Sequence, residues 1–219
     1  MKKIVIWIHG GNGSGKTTQS KLLTEAFGGG PDVNFVSVQK EGVYYTVFPE
    51  HNLAVLGKVQ KNACTGLDSV YPKLKAEGIG TTMKAAIEDD RVSIIILECM
   101  FSTIKWYDQW VKLGLRDKFT IFSIHLEMDL WSAYKRICMR RAAKKGRKDW
   151  WNFELQDTVY KNVGNKNKET RIIQQKLTGT HHEKHKNCTP IVDFNIQIDA
   201  NKSINIIHRE IKEFIISNI

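Results

Sequence analysis

No apolar run in these 219 residues approaches the roughly 20 needed to cross a bilayer, which argues against a membrane-spanning segment. The short run IVIWI in MKKIVIWIHGG has the outline of a signal peptide, but it leads straight into a glycine-rich loop that cleavage would destroy. Cysteine is scarce: Cys64, Cys99, Cys138 and Cys188 lie far apart without any CxxC pair, which suits a reducing compartment and argues against a zinc ribbon. A cytoplasmic location is expected. The tract HHEKHKNC, His181–Cys188, carries metal-binding residue types, yet no second ligand cluster complements it, and it reads as a solvated loop. Internal repeats and low-complexity tails are also lacking. At 42% hydrophobic residues the chain can bury a sizeable core, and its length fits one domain spanning 1–219 better than two.

What the sequence has in excess is positive charge, and it is unevenly placed. Residues 1–110 carry 12 Lys and Arg against 11 Asp and Glu, whereas residues 111–219 carry 21 against 12. Nine of the ten surplus charges therefore fall in the second half, which points to a polyanionic partner such as nucleic acid met by that half.

Strand-like segments alternate with helical patterns, the signature of an α/β fold with a mostly parallel sheet flanked by helices. Five strands are expected, at Ile4–Ile8, Phe35–Val38, Ser93–Leu97, Phe119–Leu126 and Ile191–Ile198. The continuous apolar runs IVIWI and IIIL predict central strands buried on both faces. Helices are predicted over Lys16–Phe27, near Thr81–Glu88, over Trp106–Leu113 and Leu130–Ala143, near Lys168–Leu177 and over Ile204–Ile216, with Asp129 and Ser203 placed as N-caps. YYTVF and LAVLG flank PEHN and predict a hairpin over residues 43–57, inserted after the second strand. A basic excursion is expected at about residues 144–168.

The stretch HGGNGSGKTT, between the first strand and the first helix, fits the phosphate-binding pattern GxxxxGK[ST] in the context that pattern requires. Gly10, Gly13 and Gly15 let successive backbone N–H groups converge on a polyphosphate, with Asn12, Ser14 and Thr18 completing the loop at the positive end of the helix dipole. Lys16 would reach the β- and γ-phosphates of ATP, and the Thr17 hydroxyl would ligate the bridging Mg2+.

Transfer to a hydroxyl also needs a carboxylate near the acceptor. Asp68, in the polar turn TGLDSVYP, is a candidate for acceptor contact, and equally a turn or N-cap residue. Glu98 closes the apolar run IIIL at the sheet edge where ligands sit, so it would hold the magnesium shell or the acceptor; Glu41 occupies a comparable place after the second strand. Asp193 reads as a solvated residue on the polar face of the last strand. Arg136 and Arg140 lie four apart on one helix face, able to neutralise charge on a phosphoryl group in flight, and Arg171 would be a second such arginine at the start of the following helix. From Lys135 to Lys148 there are eight basic residues and no acid, followed by Trp150, Trp151 and Phe153. Arg141, Lys144, Lys145 and Arg147, a surplus over the two or three arginines that a transferring phosphoryl group needs, with Trp150 and Trp151, suggest a backbone-tracking groove with a stacking platform for DNA; the alternative is that the tryptophans pack this basic segment on the core.

The arginine helix after the fourth strand resembles that of the small P-loop kinases related to adenylate kinase, where it delivers an arginine-rich lid over the nucleotide. The closing Ile198, Asp199 and Ala200 are similar to the stretch beside the adenine in that group. The order NGSGKTT, VLGK, TGLDSVYP, IILECMFST, RICMRR resembles a branch common in bacteriophages, some of whose members phosphorylate 5-hydroxymethyluracil already incorporated in DNA. TGLDSVYP has one glycine before the Asp where relatives tend to have two. The likeness covers most of the chain and implies a P-loop NTPase fold and ATP-dependent transfer to a hydroxyl on DNA. A nucleoside monophosphate kinase acting on a free nucleotide is the alternative, and a slowly hydrolysing nucleotide-dependent binding protein a third; the last would leave the arginine helix idle.

Overall fold

The computed structural model describes residues 2–40, 42–59, 76–98, 114–149, 157–179 and 192–219. The elements are β1 (Lys3–Gly10), α1 (Lys16–Ala26), β2 (Val36–Lys40), β3 (Val43–Phe48), β4 (Leu53–Leu56), α2 (Ala76–Glu88), β5 (Ile94–Glu98), β6 (Phe119–Glu127), α3 (Leu130–Lys144), α4 (Asp157–Leu177), β7 (Phe194–Asp199) and α5 (Ile204–Ile216). The strands form one sheet in the order β2-β3-β4-β5-β1-β6-β7. From β4 to β7 all neighbours are parallel; β3 runs antiparallel to both of its neighbours.

The side-chain alternation of a strand explains how β1 holds two layers apart. Val5 and Trp7 face a core completed by Ile79, Met83 and Ala86 of α2 and by Ile173 and Leu177 of α4. Ile6 and Ile8 face the other, completed by Leu23 of α1, Ala133 and Ile137 of α3 and Ile207, Ile211 and Ile215 of α5. The caps lie where the sequence places them: the Asp129 carboxylate accepts from Ser132 N at 2.9 Å and the Ser203 hydroxyl from Ile206 N at 3.4 Å. Among the described residues no helix is long and apolar enough to cross a membrane.

Three expectations are corrected. The hairpin over residues 43–57 is no appendage: its strands are β3 and β4, and β4 pairs in parallel with β5, Leu53 opposite Ile94, so the sheet counts seven strands rather than five. All four residues of β4 are buried, a state that only a central strand with both faces covered provides. The helix expected near Lys168–Leu177 begins at Asp157, so much of the 144–168 excursion is helical. Val163 packs with α3 and Gly164 lies against Leu130, giving the polar sequence KNVGNKNKETR a helix face to bury. Asp193 precedes β7 and is not merely solvated: its carboxylate accepts from Ile121 N at 2.7 Å and pairs with Arg116 at 2.8 Å, fastening the chain to β6. The helix expected over Trp106–Leu113 and the tract His181–Cys188 lie outside the described residues.

α4 takes part in both layers, with Val163 on one and Ile173 and Leu177 on the other. At 21 residues it is roughly 30 Å long, enough to pass from one face of the sheet to the other. The residues between those anchors meet the carboxyl edge of β1 and β6.

Candidate active site

β1 ends where the glycine-rich loop begins, and Gly10 shows why no larger residue stands there. Its φ is +149°, and a Cβ on it would lie 2.4 Å from the Leu126 carbonyl oxygen of β6. Gly15, at φ +89°, is the N-cap of α1 and brings no side chain to that helix end. The start of α1 thus presents backbone N–H groups and the positive pole of its dipole, the elements of an anion site. Ser14, buried, donates its hydroxyl to Gly11 O at 2.9 Å, and the Lys16 ammonium donates to the same carbonyl at 3.0 Å. Lys16 therefore lies over the loop rather than pointing away from it. Asn12 and Gly13 are half-buried at the loop crest and Thr18 is exposed.

Glu98 is the last residue of β5, opposite Ile8 of β1, and only 1% exposed. The Thr17 hydroxyl donates to its Oε1 at 2.9 Å. A hydroxyl and a carboxylate side by side, next to the loop lysine, are hard oxygen donors of the kind Mg2+ takes when it shares its shell with phosphates. The residues present fit that ion.

The arginines divide into two groups. Arg136, half-buried on α3, donates to Gly13 O at 3.3 Å and to Ala200 O at 2.9 Å, tying the loop crest to the turn after β7. Arg171 sits within α4, not at its start; the helix begins fourteen residues earlier, at Asp157. It pairs with Glu127 at the carboxyl end of β6, Nε to Oε1 at 2.9 Å. Arg140, Arg141, Lys144, Lys145 and Arg147 are exposed on the second half of α3 and just beyond it, with Arg147 paired to Asp149 at 2.7 Å. The fold thus gathers Lys16, Thr17, Glu98, Arg136 and Arg171 around one edge and leaves the other cations on the flank of α3. Asp68, Glu41, Trp150, Trp151 and Phe153 lie outside the described residues.

Two contributions escape a reading of the sequence. Asn167 of α4 packs on the loop: a Cβ on Gly11 would lie 2.0 Å from its Oδ1, while its Nδ2 donates to Met128 O at 3.2 Å. Asn167 and Arg171, one helical turn apart, line a small cavity with Gly11, His125, Glu127 and Thr170. Behind the loop, His9 and His125 are both buried and stand opposite each other on β1 and β6. Their Nδ1 atoms are 3.3 Å apart, so one donates and the other accepts, and His9 Nε2 is 2.9 Å from Ser123 Oγ. Burial holds His9 well below the ordinary histidine range, reinforced by His125 and Lys16. Burial likewise lowers His125 to about 4; Glu127 opposes the shift, and Arg171 and Lys16 add to it. The pair is neutral at neutral pH. The only signal in the sequence is a polar residue ending the inward run IVIWIH and another at the matching place in IFSIHLE.

No protein-family model and no curated protein sequence matches the chain. Solved structures do. A fungal RNA kinase is 16% identical, over 100% of this chain and 88% of its own, with a TM-score of 0.50. A deoxyadenosine kinase from M. mycoides with bound dCTP is 16% identical over 98% of this chain and 100% of its own, at a TM-score of 0.41. The shikimate kinase from Acinetobacter baumannii is 11% identical over 99% and 94%, at 0.45. The likeness is one of fold: a mostly parallel sheet of seven strands flanked by helices, the α/β architecture of P-loop kinases.

Proposed function

We propose that this protein is a P-loop kinase that transfers the γ-phosphate of ATP to a hydroxyl on nucleic acid, with the hydroxymethyl group of 5-hydroxymethyluracil in DNA as acceptor. The observation that carries the kinase reading is the loop at the head of α1, with Lys16 folded over it and the Thr17–Glu98 pair beside it at the carboxyl edge of the sheet. The charge of the second half and the resemblance of the motif order support a DNA acceptor. On this reading the loop amides and Lys16 hold the β- and γ-phosphates, Lys16 exchanging the Gly11 carbonyl for phosphate oxygens. Mg2+, bound through Thr17 and Glu98, would withdraw charge from the bridging oxygens. Arg171 exchanges Glu127 for the transferring group, and Arg140 approaches from α3. Arg136 keeps Gly13 and Ala200 together around the nucleotide. The acceptor oxygen bonds to Pγ as the bond from Pγ to the β–γ bridging oxygen breaks; ADP leaves, and the acceptor proton passes to a carboxylate, for which Asp68 is proposed.

γ-Labelled ATP offered with plain DNA, 5-hydroxymethyluracil DNA and a panel of free nucleotides tests this directly. Label is expected on the modified DNA. Label confined to a mononucleotide would replace the acceptor with that of a nucleoside monophosphate kinase. Lys16→Ala should abolish transfer in every arm, and retained turnover would remove the active-site assignment.

A further inference from the structure

α3 and α4 lie against each other and carry a charge imbalance: five basic residues and no acid on α3, five basic against two acidic on α4. On this cationic surface stand three large apolar side chains that the core does not use: Trp131 is 55% exposed, Met139 47% and Tyr160 41%. They are arranged. Trp131, Lys135 and Met139 follow one another at i, i+4 and i+8 on the outer stripe of α3. The Trp131 ring stacks on Tyr134, centroids 6.0 Å apart and planes 29° from parallel, and the buried Tyr134 meets Tyr160 edge-on at 5.4 Å. Tyr134 therefore acts as a footing that holds both exposed rings in place. The tier is anchored to the active site, because Ala133 packs beside Gly13 of the loop and Tyr160 lies on the α4 stripe that continues through Gly164 to Asn167 and Arg171.

We propose that Trp131 and Tyr160 form a base-stacking ledge for a single-stranded stretch of DNA, whose phosphates run along the basic residues of α3 and α4. The choice of DNA rests on the function proposed above. A rigid exposed ring amid cations suits unpaired bases: every base offers a π-face, and the flanking backbone is anionic. A purely apolar partner would instead leave the exposed cations of α3, among them Lys135, Arg140, Arg141 and Lys144, to be desolvated against it. The ledge makes the α3–α4 pair a holding surface for the strand on either side of the acceptor.

Binding of a fluorescein-labelled single-stranded DNA of about a dozen nucleotides, followed by anisotropy, tests the ledge. Trp131→Ala should weaken binding by roughly tenfold or more, Tyr160→Ala should act in the same direction, and Trp131→Phe should restore most of the loss, since a ring of smaller face still stacks. The same strand made abasic should bind wild type and Trp131→Ala alike. Equal binding of the intact strand by both proteins overturns the ledge, as does an equal loss with the abasic strand, which would mean that the ring only supports the fold. An RNA strand showing the sole dependence on Trp131, or a change of oligomeric state of Trp131→Ala in light scattering, overturns the choice of DNA in favour of RNA or a protein partner. The kinase assay separates this inference from its parent. Transfer to modified DNA with the same KM in Trp131→Ala removes the ledge and leaves the function, while a stacking loss without any transfer to DNA keeps the ledge and removes the acceptor.

Discussion

A carboxylate that is 1% exposed at the end of an apolar strand is costly to bury, and the group beside Glu98 bears on the role proposed for it. The hydroxyl of Thr17, the residue immediately after the loop lysine, donates to it, and on the proposed mechanism this places Glu98 where the terminal phosphates and their cation would lie. Glu98→Gln is a sharp probe of this, because the amide oxygen still accepts from Thr17 while the negative charge is gone. The Mg2+ concentration for half-maximal transfer is expected to rise roughly 10–100-fold, as for other residues that hold or orient a metal shell. A magnesium titration of phosphate transfer reads it, and an unchanged midpoint would place Glu98 outside the shell.

Among the elements, α4 has the most to explain, since it crosses between the two layers and rests on the glycine-rich loop on the way. Its two contacts of glycine predict opposite outcomes for the same chemical change. At Gly164 a Cβ would meet the Leu130 methyls at 3.7 Å, ordinary contact, so Gly164→Ala should stabilise the protein by about 1 kcal/mol through helix propensity alone. At Gly11 a Cβ would lie 2.0 Å from Asn167 Oδ1, so Gly11→Ala should destabilise by about 1–3 kcal/mol, and adding Asn167→Ala should recover most of that. Denaturant midpoints of the three variants decide it; a Gly11→Ala protein as stable as wild type would mean that α4 does not bear on the loop. Much of this level is legible in the sequence. The apolar runs of β1 and β5, the glycine-rich turn between β1 and α1, both N-caps and the bounds of α5 follow from local chemistry that acts within a few residues. What is not legible depends on partners distant in the chain. The strands of residues 43–57 look like a detached hairpin because their short apolar runs do not report that β5 lies alongside. The first turns of α4 look like loop because Val163 and Gly164 are the main sign, in a polar stretch, of a face that α3 covers. Asn167 and the two histidines carry no motif; they matter through residues more than a hundred positions away, or, for Asn167 and Met128, 39 positions away.

At the scale of the molecule, two neighbouring strands of the sheet are joined by a pair of groups that burial keeps uncharged at neutral pH. His9 and His125 join β1 to β6 directly behind the loop, and around them stand Trp7, Ser123, Lys16, Glu127 and Arg171, of which only Glu127 favours a protonated ring. An unfolded histidine titrates near 6.5, whereas His125 in the fold is lowered to about 4. Between those values the unfolded chain binds a proton that the native protein does not, so stability increases with pH across the window and is lost as pH falls through it. For His125 alone the loss from about pH 7 to about pH 5 is about 2 kcal/mol, and His9, shifted the same way, adds to it. The carboxylates act elsewhere on the scale. Asp89, held down to about 2 by Arg91 and Tyr45, keeps its contribution until the pH drops below the ordinary aspartate value, so the first acid limb belongs to the histidines. His208, partly buried and also lowered, shares that limb from the opposite layer, which makes the comparison of variants necessary. His125→Asn preserves a polar group facing His9 and removes the titration. Its denaturant midpoint should fall less between about pH 7 and about pH 5 than that of wild type. Parallel losses in the two proteins would show that the pair behind the loop does not set the acid limit of the fold.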